Sequence, residues 1–275
     1  FDSISPGRSL DRALQRLLPV LRVAREHAAL VNLDMEQYEL RDLTLDLAKG
    51  ILQHKDFGHG IALGVVIQAY LCDAETIAED LLGWLGERQR TLTIRLVKGA
   101  YWDYEVAHAA QRSWPAPVHL AKSDTDLAFE RLTVRLLSAS GQVTTAIASH
   151  NVRSIAHAMA VAELSGLEKT QLEFQLLYGM GDAIHAAIVA CGYPVRIYTP
   201  VGALIPGMAY LVRRLLENTS NESFLRHDYL SERTAEELLR SPALPREEAT
   251  ADRVVVGWQG TACGCRGSPR AASRS

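Results

Sequence analysis

The sequence predicts an α/β fold of the TIM-like (β/α)8 barrel type, and three observations lead there. Short β-branched or apolar runs alternate with longer helical patterns, recurring at roughly 25 to 35 residues, the length of a strand, a helix and two loops. Such strict alternation implies a parallel sheet covered by helices. An open doubly wound sheet would carry a glycine-rich turn after its first strand, and none follows "VNLDM". Polar residues gather at the ends of successive runs, where a barrel keeps its chemistry.

The elements follow in order. A helical stretch over 10–27 leads into "ALVNLDM" (29–35), with Asp34 at its end. A helix over 36–53 separates it from "IALGVVIQA" (61–69), which carries Gln68. A helix over 73–89 then precedes "LTIRLV" (92–97), with Arg95 inside and Lys98 just beyond. "APVHLA" (116–121) reads as the next strand and ends at Lys122, followed by a helix over 124–138. "QVTTAIAS" (142–149) ends at His150 and Asn151 and runs into a helix over 152–164. "QLEFQL" (171–176) carries Glu173 and Gln175, and "GMGDAI" (179–184) opens a helix over 181–191. That glycine pattern lacks the third glycine of a dinucleotide fingerprint and reads as a loop entering a helix. "PVRIYTP" (194–200) carries Tyr198, and a last helix is expected over 203–218. A closed barrel of this type needs eight strands. Seven runs are counted, so one is misassigned or the chain begins after the first strand.

The last helix places Leu211, Leu215, Val212 and Leu216 at helical spacing, with Arg213 and Arg214 side by side among them. Periodicity alone leaves two roles open. Glu217 lies four and three residues on, so the pair could form helix-surface ion pairs; two adjacent guanidinium forks could equally hold an anion.

Composition narrows the function class. The chain has 275 residues, 48% of them hydrophobic and 22% charged, and a net charge of -3. That balance fits a globular domain and gives no general reason to expect nucleic acid or an anionic surface as partner. Four scattered cysteines suggest no disulfide framework and favour a reducing, cytoplasmic setting. Cys263 and Cys265 have no His or Cys at zinc-finger spacing, so no metal is expected. Apolar periodicity fades from 232, which predicts a barrel domain over 1–230 and an irregular tail or truncated linker over 231–275.

"IRLVKGAYWDYE" (94–105) is the densest segment for chemistry. Arg95 and Lys98 supply cationic donors, Gly99 and Ala100 let backbone approach a ligand, and Tyr101 and Trp102 add flat surfaces. Such a set suits a planar, anionic cofactor such as a flavin nucleotide. It would also suit a phosphorylated substrate of a barrel lyase or aldolase, with Lys98 or Lys122 as a Schiff-base lysine.

At this point a resemblance becomes specific. "VIQAY" (66–70), "RLVKGAYWD" (95–103), "ASHN" (148–151), "EFQLLYGMG" (173–181), "RIYTPVG" (196–202) and "YLVRRLLENTSNESF" (210–224) occur in that order. Together they resemble the proline dehydrogenase domain of the bifunctional bacterial proline utilization A flavoenzymes, from about residue 1 to about 226. The resemblance implies a distorted barrel that holds FAD, oxidises L-proline to Δ1-pyrroline-5-carboxylate and passes electrons to a quinone. It implies a flavin site at Gln68, Arg95, Lys98, Gly99, Ala100, Trp102, Lys122, Thr125, Ser149, His150, Asn151 and Gln175, with Ser149 standing where many members have threonine. It implies a substrate site at Asp34, Tyr101, Tyr198, Arg213 and Arg214.

The residues themselves agree with those roles. Two adjacent guanidinium groups can hold a carboxylate with charge-assisted hydrogen bonds, fixing the ring against the flavin. Asp34 would orient one arginine, and Tyr101 and Tyr198 would wall the small ring. Arg95 would stabilise the negative charge that builds as hydride is accepted. Family members also carry a first strand with a lysine that joins the two arginines, and this sequence opens "FDSISPGRSL", past that strand. A barrel without it exposes two sheet edges, so the chain as given is expected to be weakly active or inactive. A noncatalytic FAD-binding remnant is the further alternative. Bifunctional relatives fuse an NAD-dependent aldehyde dehydrogenase domain after the barrel, and truncation before it is expected here. The expected location is cytoplasmic, with a quinone acceptor implying a peripheral position at the inner face of a membrane.

Overall fold

Six parallel strands in sequence order make one sheet: β1 (Val31–Leu33), β2 (Leu63–Gln68), β3 (Leu92–Val97), β4 (Val143–Ala148), β5 (Leu172–Leu177) and β6 (Val195–Tyr198). The computed structural model describes residues 5–57, 60–205, 207, 208, 210, 212, 236 and 239–242. Seven α-helices precede or connect the strands among these residues, with two of them between β3 and β4: α1 (Pro6–Glu26), α2 (Arg41–Gln53), α3 (Ala74–Arg88), α4 (Trp102–Gln111), α5 (Lys122–Leu137), α6 (Val152–Leu164) and α7 (Asp182–Ala190). None is long and apolar enough to cross a membrane.

Each strand pairs only with its sequence neighbours, every pair parallel, so among the described residues β1 and β6 are open edges. The register sorts side chains into two faces. Leu92, Ile94 and Leu96 of β3, Val143 and Ile147 of β4, and Leu172, Phe174 and Leu176 of β5 are buried. They face the layer of helices, chiefly α3 and α5, and form the main core with Leu81, Leu85, Phe129, Leu132 and Leu136. The intervening residues face the concave side. Arg95 pairs with Val66 on one side and Ala146 on the other, and Ala146 pairs with Glu173. This continuous parallel arrangement with its helices on one face is the α/β barrel class.

Two local expectations are corrected. The run 116–121 forms no strand. Pro117 deprives it of a ladder donor and Pro115 flanks it, and only an isolated antiparallel bridge between Leu71 and Val118 remains. It lies beside the loop after β2, where the Cys72 amide donates to the Pro117 carbonyl at 2.9 Å and the His119 amide to that of Tyr70 at 2.7 Å. So seven expected strands become six among the described residues. Helix α4, in contrast, was not expected: "WDYEVAHAAQ" buries only Glu105 and Ala109, so no apolar stripe marks it.

The core is tight at Phe174, which is fully buried and meets the Tyr193 ring edge-on at 5.5 Å between centroids. Phe174→Ala is expected to cost about 3 to 5 kcal/mol. At ~2–4 °C per kcal/mol for a domain of this size, the melting temperature should fall by on the order of 10 °C. An unchanged thermal denaturation curve would show that β5 is not packed as described.

Candidate active site

Parallel strands bring all their carboxyl ends, and the helix N-termini that follow, to one end of the sheet. Arg95 stands at the centre of that end on the concave face. Its Nη1 donates to Asp34 just beyond β1, and its Nε donates to Gln175 Oε1 on β5 at 2.5 Å. The Arg95 side chain retains 14% exposure, so it is fixed from two directions yet still reached by solvent. Gln175 in turn donates to Glu173 at 2.7 Å, and Arg196 of β6 forms a two-bonded pair with the same carboxylate, each bond 2.8 Å. Burial pushes the Glu173 carboxyl up, but the bonds from Arg196 and Gln175 and the charges of Arg196 and Arg95 outweigh it, leaving it below its ordinary range.

Beside this polar row the concave face is low. Thr144, Ala146 and Ala148 of β4 present no long side chain, and Gly64 lies two strands away. Asn32 fills the space over Gly64, where an added Cβ would come within 2.4 Å of its Oδ1. The small residues of β4 beside an oriented arginine could accommodate a flat ring.

The segment after β3 is built for close approach. Gly99 has φ +131, a conformation that L side chains rarely adopt, and an ideal Cβ there would lie 2.4 Å from the Tyr70 ring. Tyr101 is the N-cap residue of α4, and Trp102 donates its indole N–H to the His119 carbonyl at 2.9 Å while leaving 40% of its surface exposed. Lys98 pairs with Asp126 of α5, which Lys122 also approaches at 3.6 Å. Burial pushes the Lys98 ammonium down and Asp126 only partly restores it, so Lys98 stays below its ordinary value. Its Nζ lies 5.7 Å from the centre of the Phe129 ring. Thr125 is buried in the first turn of α5.

The third group follows β4. Ser149 Oγ accepts the Asn151 amide at 3.1 Å, and Asn151 caps α6 by accepting the Ser154 amide at 3.0 Å. His150 Nε2 accepts the Leu177 amide at 3.3 Å, which leaves Nδ1 to carry the proton of the neutral ring. Gly181, at φ +67, lets the chain turn into α7 beside that imidazole. Gln68 ends β2 and donates weakly to the Met35 and Glu36 carbonyls at 3.4 and 3.3 Å, tying β2 to the segment that carries Asp34.

Most expected residues therefore meet at one end of the sheet. Tyr198 ends β6 with 39% exposure and stacks on Tyr210, centroids 5.6 Å apart. Arg213 and Arg214 lie outside the described residues, as does most of the expected tail. Of that tail, the Leu239 carbonyl accepts a hydrogen bond from Arg153 at 2.6 Å. Sequence reasoning assigned no role to Arg196 or Asp126 and none beyond a strand-end position to Glu173. Alternation puts Glu173 and Gln175 on one face, which was a usable signal for Glu173.

The N-termini of α5 and α6 with Lys98 and Lys122 could hold a diphosphate, and the small β4 residues beside Arg95 could take a flat ring. Such a mouth at the carboxyl ends of the strands is that of an α/β barrel enzyme. The chain belongs to the proline dehydrogenase family, whose model, described as proline dehydrogenase, matches residues 3–227. It is 33% identical over 259 residues to the bifunctional protein PutA of Escherichia coli K12, covering 90% of this chain and 19% of that protein. It is 33% identical over 225 residues to proline dehydrogenase 1 of Bacillus subtilis 168, covering 81% and 66%. Its structure resembles that of proline utilization A from Bdellovibrio bacteriovorus inactivated by N-propargylglycine, with a TM-score of 0.84 and 46% identity over 87% of this chain and 25% of that one. The chain thus spans about a fifth of the PutA proteins it matches.

Proposed function

We propose that this chain is a flavin-dependent proline dehydrogenase unit that oxidises L-proline to Δ1-pyrroline-5-carboxylate, with a quinone as final acceptor and, in the parent protein, a fused aldehyde dehydrogenase domain as partner. The observation that carries the reading is Arg95, oriented from β1 and β5 over a small-residue floor in a chain of this family. A neighbour inactivated by N-propargylglycine, a secondary amino acid like proline, supports the substrate class.

FAD supplies a two-electron acceptor for hydride from the ring carbon next to nitrogen. Lys98, Lys122, Thr125, Ser149, His150, Asn151 and the Gly99–Ala100 backbone would hold it, with Gln68, Gln175 and Trp102 against its rings. Arg213 and Arg214 would grip the proline carboxylate, and Tyr101 and Tyr198 would wall the ring and exclude water. Arg95 offers a fixed positive charge where negative charge develops, so positioning and electrostatics carry most of the catalysis.

Purified chain incubated with FAD and then freed of excess cofactor is expected to keep a yellow, structured visible spectrum. A colourless product would contradict the reading. If borohydride then trapped a phosphorylated aldehyde or ketone on Lys98 or Lys122, the lyase alternative would hold instead.

A further inference from the structure

We infer that Glu173, gripped by Arg196, is a positioning residue: it fixes which end of the Gln175 amide faces Arg95 and so sets that arginine's orientation and effective charge. The redox consequence rests on the flavin reading above, while the geometric claim stands without it.

Neighbouring strands lie roughly 4.8 Å apart, so β3 and β5 are about 10 Å apart across β4. Arg95 can reach Gln175 because the β4 residues between them, Ala146 paired with Arg95 and Ala148 paired with Gln175, present only methyl groups. At Gln175 the amide has one acceptor end and one donor end. Its Oε1 takes the Arg95 Nε–H at 2.5 Å, while its Nε2 gives to Glu173 at 2.7 Å. The opposite orientation would set N–H against N–H at Arg95 and oxygen against carboxylate at Glu173. An ionised carboxylate only accepts, so Glu173 admits one orientation.

Arg196 keeps Glu173 in place through two 2.8 Å bonds, one to each oxygen. That pair is half open, with Arg196 54% exposed and Glu173 16%. Ion pairs of that kind contribute little stability by themselves. Their value here is geometric, and electrostatic as well: Asp34 and Glu173 place two negative charges near Arg95, while Arg196 adds a second positive charge further out. Removing the Glu173 charge should leave Arg95 more positive toward the cavity.

The test has two arms, both on the full chain. In flavin-free protein, side-chain NMR should show a slowly exchanging Arg95 Nε–H, assigned by its loss in Arg95→Lys. Glu173→Ala should speed its exchange at least tenfold, whereas Glu173→Gln, which keeps an acceptor oxygen and the same shape, should largely preserve it. Equal protection in Glu173→Ala and the unsubstituted chain would overturn the geometric claim. In FAD-loaded protein, Glu173→Gln should shift the flavin equilibrium toward the reduced state by about tenfold, ~30 mV for a two-electron couple. An unshifted potential would overturn the electrostatic claim. If the unsubstituted chain takes up no flavin, the cofactor reading fails while the exchange measurement still decides the role of Glu173.

Discussion

Arg95→Met is expected to slow reduction of bound FAD by L-proline by roughly 10²- to 10³-fold, the range for loss of one preorganised donor. FAD should remain bound. Arg95 is held by Asp34 and Gln175, so the protein's own side chains aim its charge. Methionine keeps the unbranched apolar stem and leaves both partners in place: Asp34 is half exposed and can be solvated, and Gln175 keeps Glu173. Stopped-flow loss of flavin absorbance under anaerobic conditions measures the rate. A rate within about threefold of the unsubstituted protein would remove Arg95 from the electrostatic role.

Gly99→Ala is expected to cost on the order of 3 kcal/mol, since it combines overpacking with a backbone conformation unfavourable to alanine. The contact is with the Tyr70 ring, and Tyr70 is buried at 2% exposure. Neither partner has room to give, so the segment carrying Ala100, Tyr101 and Trp102 should shift. The variant should melt lower and lose FAD on gel filtration. Normal melting with normal FAD retention would mean that the segment after β3 does not run against Tyr70.

Much of this arrangement was legible in the sequence, and the failures have physical causes. Five expected strands lie within about two residues of β2 to β6 in the right order, because buried parallel strands read as apolar runs bounded by turns. "ALVNLDM" shrank to Val31–Leu33 at an open edge, where pairing is one-sided. "APVHLA" has the apolar content of a strand, but Pro117 within it removes a ladder donor, and only an isolated bridge forms. Helix α4 went unseen since packing on it is slight.

The site shows the same division. The positions of Asp34, Arg95, Gln68 and Gln175 at or near strand ends were legible, because sequence alternation reveals where each strand runs. The Glu173–Arg196 pair needs knowledge of which strand lies beside which and in what register; Gln175 pairing with Arg196 is such information. Likewise, the strand-end rule found Lys98 and Lys122, but not that both lean on Asp126. A resemblance over many ordered motifs could identify a family, yet it named no partner for these side chains.

The most direct measurement is anaerobic addition of L-proline to the FAD-loaded chain, followed in the visible spectrum. The flavin absorbance is expected to bleach in a proline-dependent single turnover and to return when a quinone is added. A spectrum that L-proline leaves unchanged, in protein whose flavin dithionite does bleach, would contradict the proposed dehydrogenase activity.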